Sequence, residues 1–416
     1  MQVHSTTENK SLPKIPMILP GQTIGILGGG QLGKMLAMTA QRLGYQVAVF
    51  CPETDAPAKS VSHQVFSAPY TDQNALAAFA KTCDMITYEF ENIPNSSVLA
   101  LEKTCPVLPQ PSILATTQNR LKEKQFLAEL GISTTPFCAV AGKPDLIEAV
   151  RKIGFPLVLK TNGSGYDGKG QQQVSTMAAL ETAYEHFARE GSSACIAEAW
   201  VPLEKELSVV VARSADNSGQ LRCYPVTENL HSNHILDKSL IPADIPDAIE
   251  KAARETACEI AMAFQLFGLI CIEFFLTRDG KLLVNEIAPR PHNSGHYTIE
   301  ATKTSQFEQQ LRAICSLPLG DTDVKLGYKA AGMMNLLGDR WLQEPEQESS
   351  DLNAKPAQLL SPRWHQCFSK ENNVFLHLYG KQRVERGRKM GHITVLGASR
   401  GHVLKNLSEI EAQLFS

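Results

Sequence analysis

The strongest constraint in this chain is a dipeptide, Asp279-Gly280, set between two apolar runs rich in β-branched and aromatic residues, Leu269 to Leu276 and Leu282 to Ile287. Asp-Gly between two strand-forming runs is the strongest short-range hairpin signal. The stretch therefore predicts an antiparallel hairpin. Counting outward from a two-residue turn sets Arg278 opposite Lys281 and Glu273 opposite Glu286. Opposed side chains on one face have Cβ atoms about 4.5–5.5 Å apart, and two like charges there destabilise the sheet. A divalent cation offsets that repulsion, since Mg²⁺ takes one or two carboxylates and completes its shell with phosphate oxygens and water. The alternative is a register slipped by one residue, with Glu273 on a solvated face. Ile270, Cys271, Ile272, Phe274 and Phe275 around it favour the cation.

A length of 416 residues predicts two or three domains. With 43% hydrophobic and 20% charged residues the composition is that of a soluble globular protein. A formal net charge of −3 gives no basic field for nucleic acid. No apolar run approaches the roughly 18 residues that cross a bilayer, and no signal peptide is visible, so the expectation is a cytoplasmic protein with no membrane partner. The ten cysteines stand singly, and Cys195, Cys258, Cys271 and Cys315 lie in apolar runs, which predicts buried reduced thiols. Residues 1–20 are polar with three prolines and read as a loosely held extension.

From 21 to 117 the grammar is that of a doubly wound parallel sheet. The strand Thr23 to Leu27 enters Gly28-Gly29-Gly30-Gln31-Leu32-Gly33, a helix follows over Met35 to Leu43, and a second strand spans Gln46 to Phe50. The helix start behind the glycines favours an anion. Glu53 and Asp55 lie where a dinucleotide fold carries its ribose-binding acid, which keeps a dehydrogenase open as a rival. A further strand, Met85 to Tyr88, ends at Glu89-Phe90-Glu91. Glu89 there either meets a substrate amine or ribose, or complements a helix dipole.

In the central unit, 118–318, a charged helix over Asn119 to Leu130 carries Arg120. The strand Pro156 to Lys160 then delivers a lysine to the mouth of Gly163-Ser164-Gly165-Tyr166-Asp167-Gly168-Lys169-Gly170-Gln171, a loop able to wrap backbone N–H groups around phosphate. The Walker A spacing is absent. Glu198 interrupts the strand Ala194 to Val201, and Glu206 opens another. Backbone past Glu198 suits a purine edge and Glu206 suits ribose hydroxyls, although isolated carboxylates are more often merely solvated.

This order of lysine-ended strand, glycine-rich flap, two glutamates and an acidic hairpin resembles the ATP-grasp superfamily, and within it the 5-(carboxyamino)imidazole ribonucleotide synthase family. GILGGGQLGKM, TYEFENIP, GSGYDGKGQ, NEIAPRPHNSGH and GRKMGHIT carry the likeness, which runs from residue 22 to about 400. The Glu-x-Asn-x-Arg pattern of the wider superfamily reads Glu286-Ile287-Ala288-Pro289-Arg290 here and leaves the role of Asn285 open.

The resemblance implies an α/β (α+β) chain, the ATP-grasp fold. It has a Rossmann-like pre-ATP-grasp domain (21–117), an ATP-grasp domain (118–318) with a flap subdomain (about 140–205), and a small β-rich C-terminal domain (319–416). It implies ATP contacts from Arg120, Lys160, Gly165, Tyr166, Asp167, Gly168, Lys169, Gly170, Gln171, Glu198, Ala199, Trp200, Val201, Glu206, His231 (with His234 competing), Asn285 and Glu286. Mg²⁺, with Mn²⁺ as a possible substitute, is implied at Glu273 and Glu286. Substrate contacts are implied from Gln31, Leu32, Glu89, Tyr166, Asp167, His292, Asn293, Lys381, Arg388 and Lys389, with His292, Arg290, Lys381 and Arg388 carrying the chemistry. The glycine-spaced basic run from Lys381 to His392 would hold a ribonucleotide 5′-phosphate; by itself it reads as a solvated rim. The implied reaction is carboxylation of 5-aminoimidazole ribonucleotide with bicarbonate and ATP, through carboxyphosphate, in a homodimeric enzyme of purine biosynthesis. The alternative is another ATP-grasp amine ligase, such as a formate-dependent glycinamide ribonucleotide transformylase.

Overall fold

The structure, a computed structural model, describes residues 15–163, 170–192, 194–216, 218–342, 360–368 and 373–415. Strands β1 (Thr23–Leu27), β2 (Gln46–Phe50), β3 (Gln64–Phe66) and β4 (Met85–Tyr88) form a parallel sheet in the order β3-β2-β1-β4. Nearly every residue of β1, β2 and β4 is buried, as expected where helices cover both faces. The chain before β1 is better anchored than its composition suggests. Ile18 is buried, its N–H donates to the Cys315 carbonyl at 3.1 Å, and its carbonyl accepts from the Tyr45 hydroxyl at 2.8 Å. Residues 1–14 lie outside the described residues.

A small antiparallel sheet, in the order β5-β8-β6-β7, gathers β5 (Phe137–Val140), β6 (Leu157–Thr161), β7 (Gln171–Val174) and β8 (Cys195–Ala199). The large sheet contains β9 (Leu203–Arg213), β10 (Leu221–Cys223), β11 (Thr227–Ser232), β12 (Ile235–Ile241), β13 (Gly268–Thr277), β14 (Leu282–Ala288), β15 (Ala330–Leu337), β16 (Val374–Leu378) and β17 (Lys389–Gly397). Its order is β14-β13-β9-β11-β12-β15-β17-β16, with β10 on β9. The C-terminal unit thus extends the central sheet: β12 pairs with β15 from Lys238↔Met334 to Ile241↔Ala331.

The hairpin corrects one expectation and keeps its consequence. The Thr277 N–H donates to the Lys281 carbonyl at 2.9 Å, so the loop has three residues, Arg278-Asp279-Gly280, and Lys281 faces Thr277 rather than Arg278. Of the two turn residues only Gly280 has positive φ, at +80°. A two-residue turn would force Asp279 there too, whereas a type I turn closed by a left-handed glycine does not. From the loop inward the pairs are Leu276↔Leu282, Phe275↔Leu283 and Phe274↔Val284; the register then shifts and Glu273 meets Glu286. Asn285 is the extra residue of a β-bulge. The extra loop residue and the bulge cancel, which restores the opposition of the two glutamates.

Candidate active site

A cavity of about 910 Å³ opens between the small sheet, the large sheet and the N-terminal unit. Its floor is the face of β9, β11, β13 and β14 that carries Glu206, Asn229, His231, Glu273, Phe275 and Glu286. In a regular strand Asn285 and Glu286 would point to opposite faces; the bulge lets both line the cavity. Asn285 thus stands beside Glu286 in the cavity wall.

Lys160, at the end of β6, donates to Glu198 Oε2 at 2.9 Å. The same oxygen accepts from Thr135 Oγ1 at 3.0 Å and lies 3.8 Å from Lys124 Nζ. Burial favours the neutral acid, yet Lys124 and Lys160 outweigh it and hold Glu198 down at about 2. Burial also lowers the pKa of Lys124, against the pull of Glu198. The glutamate that interrupts an apolar strand is therefore the anchor of the lysine that the strand delivers, while Ala199, Trp200 and Val201 line the cavity beyond it.

Acid and base are interleaved across the floor. Desolvation by the cleft walls, with the charge of Glu273, raises Glu286, while Arg120 and Lys160 oppose the shift. Desolvation together with Glu273 and Glu286 raises Glu206 to about 7, and its Oε2 meets His231 Nδ1 at 3.1 Å. Glu123 is pushed up to about 8 by burial and by Glu286. Carboxylates forced together this way suit a hard divalent cation, and the donor set of Glu273 and Glu286 is of the right kind. Among the described residues no group of three or more His, Cys, Asp or Glu side chains forms an all-protein metal cage, so phosphate oxygens and water would complete the shell.

His292 Nε2 meets Glu273 Oε1 at 2.7 Å, and its Nδ1 meets Ser294 Oγ at 2.8 Å. Behind them Ser294, Ser208, Asn229 and Ser239 continue a buried hydrogen-bonded chain in steps of 2.8, 2.9 and 2.8 Å. Burial opposes a charge on the imidazole, but the Cys271 sulfur and the Glu273 carboxylate prevail and raise His292 to about 10. The Ser294 N–H also donates to His292 Nδ1 at 3.3 Å, so Nδ1 accepts while Nε2 faces the Glu273 carboxylate. Arg290 forms a two-pronged pair with Glu91, through NH2 to Oε1 at 2.8 Å and through Nε to Oε2.

Gln31, Leu32, Arg120, Lys160, Gln171, Glu198, Glu206, His231, His234, Arg290, His292, Asn293 and Lys389 all line the cavity. Glu89 does not. Its carboxylate accepts from the N–H groups of Gly30 at 2.8 Å and Gly33 at 3.0 Å, so the anion at the helix start is the protein's own. A Cβ on Gly30 would stand 2.7 Å from Glu89 Oε1, which explains the glycine. That occupancy also removes the dinucleotide reading, and Asp55 instead accepts from the Gln382 N–H at 3.2 Å and faces Arg388 at 4.0 Å. Lys381 and Arg388 stand back from the cavity. Lys381 Nζ donates to the Lys389 carbonyl at 2.8 Å and Arg388 NH1 to the Arg383 carbonyl at 2.7 Å. Gly165, Tyr166, Asp167, Gly168 and Lys169 lie outside the described residues; Gly170, at φ +69°, closes the loop onto Thr161. Sequence reading missed Glu91, Glu123, Lys124 and Asn229. Their partners stand 10 to 199 positions away in the chain, and the one available signal was the pair of adjacent charges Glu123-Lys124 in an otherwise amphipathic helix.

Three family descriptions match in series: a ribonucleotide synthetase preATP-grasp domain over 21–118, an ATP-grasp domain over 125–307 and a phosphoribosylaminoimidazole carboxylase C-terminal domain over 331–406. The chain is 43% identical over 384 residues to an N5-carboxyaminoimidazole ribonucleotide synthase of Bacillus subtilis, covering 91% of this chain and 93% of that protein. It is similar to the crystal structure of N5-carboxyaminoimidazole synthetase from Staphylococcus aureus complexed with ADP. There the TM-score is 0.82 at 36% identity, covering 96% of this chain and 99% of that one. The synthase of Aspergillus clavatus, in complex with ADP and 5-aminoimidazole ribonucleotide, superposes with a TM-score of 0.80 at 28% identity over 95% of this chain and all (100%) of that one.

Proposed function

The chain belongs to the N5-carboxyaminoimidazole ribonucleotide synthase family of ATP-grasp ligases, and from that premise we propose that it uses ATP and bicarbonate to carboxylate the exocyclic amine of 5-aminoimidazole ribonucleotide. The observation that carries this reading is the single cavity in which a lysine-ended strand, two opposed glutamates, the Glu273-paired His292 and the Glu91-paired Arg290 converge.

Bicarbonate is a weak electrophile, so its oxygen first attacks the γ-phosphorus of ATP, giving carboxyphosphate and ADP. Lys160, fixed by Glu198, and Arg120 balance the charge on the phosphates; positioning and electrostatics do most of the work in such transfers. Ala199 to Val201 receive the purine, and Glu206 with His231 the ribose. Mg²⁺, or Mn²⁺ in its place, bound to Glu273 and Glu286 would supply Lewis-acid neutralisation of the transferring phosphoryl group. Arg290 and His292 hold bicarbonate and then carboxyphosphate.

The amine then attacks the carboxyl carbon, directly or as released CO₂, and phosphate departs. The proton lost by the amine goes to the leaving phosphate or to His292. Asn293, Gln31, Leu32 and Lys389 surround the second substrate, with Lys381 and Arg388 behind Lys389 toward its 5′-phosphate. Tyr166 and Asp167, which lie outside the described residues, are the further substrate contacts carried over from the resemblance. The proposal extends to a homodimer acting in the cytoplasm; separately, among the described residues no helix is long and apolar enough to cross a membrane.

The test is ¹³C-bicarbonate in the presence of ATP, Mg²⁺ and 5-aminoimidazole ribonucleotide. A new, acid-labile carbamate carbon resonance is expected. Its absence while ATP is consumed, or its replacement by a formyl product when formate is supplied, would overturn the assignment.

A further inference from the structure

Cys223 on β10 and Cys258 on the helix Asp247–Ala263 bring their sulfurs within 3.2 Å of each other. All ten cysteines are free thiols. Cys223 is 8% exposed, whereas Cys258 is half-buried rather than fully buried as its apolar neighbours suggested. Both border an open cavity of about 920 Å³. Arg254, Cys258 and Met262 line it at four-residue spacing, one face of the helix, with Arg222 opposite.

From this geometry we propose that Cys223 and Cys258 form a thiol-exchange site that accepts the disulfide of a small peptide thiol bearing carboxylates and becomes an intrachain disulfide. Two sulfurs need about 2.05 Å to bond, so a side-chain adjustment of roughly 1 Å joins strand to helix. The order of events is set by access. The hydrogen bond from Cys223 lowers the Cys258 pKa, and Arg254 adds to that against burial, so thiolate character collects on the sulfur that solvent can reach. The Cys258 thiolate attacks one sulfur of the incoming disulfide, forming a mixed disulfide and expelling one small thiolate. Cys223 then attacks the Cys258 sulfur, the protein disulfide forms, and the second small thiol leaves with the remaining proton. One small disulfide is reduced to two thiols as two protein thiols are oxidised. Arg222 and Arg254 at the rim suit the carboxylates of the peptide; Arg254 also lies 4.0 Å from Glu250, Glu255 lines the same cavity, and Asp321 and Asp323 across it pair with Lys303.

The experiment incubates the full-length protein with oxidised glutathione, then maps non-reduced peptides and measures intact mass. The expected result is a peptide joining residues 223 and 258 and a mass lower by two hydrogens, both reversed by reductant and both absent in Cys258→Ser. Cys223→Ser should instead retain one glutathione on Cys258; Cys258→Ser, at the more exposed sulfur, keeps the test decisive if that variant folds poorly. Two thiols that remain fully alkylatable in the wild type, or a stable glutathione adduct there with no crosslink, would overturn the proposal.

Discussion

Replacing Glu198 by Gln removes the charge that holds two lysines and leaves the shape of the side chain almost intact. Its side chain is 3% exposed, and that of Lys124 is 2% exposed. A carboxyl held at about 2 rather than at its ordinary 4.5 contributes roughly 3 kcal/mol at neutral pH, at about 1.4 kcal/mol per pKa unit. Breaking a buried ion pair from one side costs about 3–5 kcal/mol, which agrees. The sign follows from the depressed pKa: the contribution is complete above the unfolded value near 4.5 and is lost as pH falls through about 2. Glu198→Gln should therefore lower the urea midpoint of the ATP-grasp unit at pH 7 by the equivalent of about 3 kcal/mol, and the deficit should shrink below pH 4.5. Lys124→Met in the same background should restore part of it, because no ammonium is then stranded. Since Lys160 loses its anchor, KM for ATP should rise as well. A variant as stable as wild type, or a double variant whose cost is the plain sum of the two single ones, would refute the reasoning.

Glu286→Gln should fold normally yet lose ATP turnover by about 10²–10³-fold, the size seen when a preorganised electrostatic group is removed; retained turnover at ordinary Mg²⁺ would remove the metal assignment. Lys381→Ala and Arg388→Ala should raise KM for the ribonucleotide about tenfold or more, given roughly 1.5–3 kcal/mol for a charged hydrogen bond, and an unchanged KM would count against the phosphate role. Saturating MgATP should raise the melting temperature while NAD leaves it unmoved, because Glu89 already fills the helix start where a pyrophosphate would sit; a shift with NAD would contradict that reading.

Local rules carried the sequence reading where one strand or one turn decides the outcome. β1, β2 and β4 have the bounds expected from their apolar runs, since a strand buried on both faces must be apolar throughout. The opposition of Glu273 and Glu286 was legible for a less direct reason: the hairpin fixes register locally, and its two irregularities compensate. What could not be read were pairings closed by the fold. Glu91 reaches Arg290 across 199 positions, Lys124 meets Glu198 from the helix Arg120–Glu129, and Glu89 turns back to glycines 56 and 59 residues earlier. Nor does composition reveal that β15 to β17 continue the central sheet, because an edge strand and a separate domain have the same alternation of residues.

The most direct measurement is phosphate release from ATP in bicarbonate buffer, with and without 5-aminoimidazole ribonucleotide. The account predicts release that depends on bicarbonate and rises steeply with the ribonucleotide, in step with its consumption. Release indifferent to both, or supported equally by formate and a different amine, would contradict it.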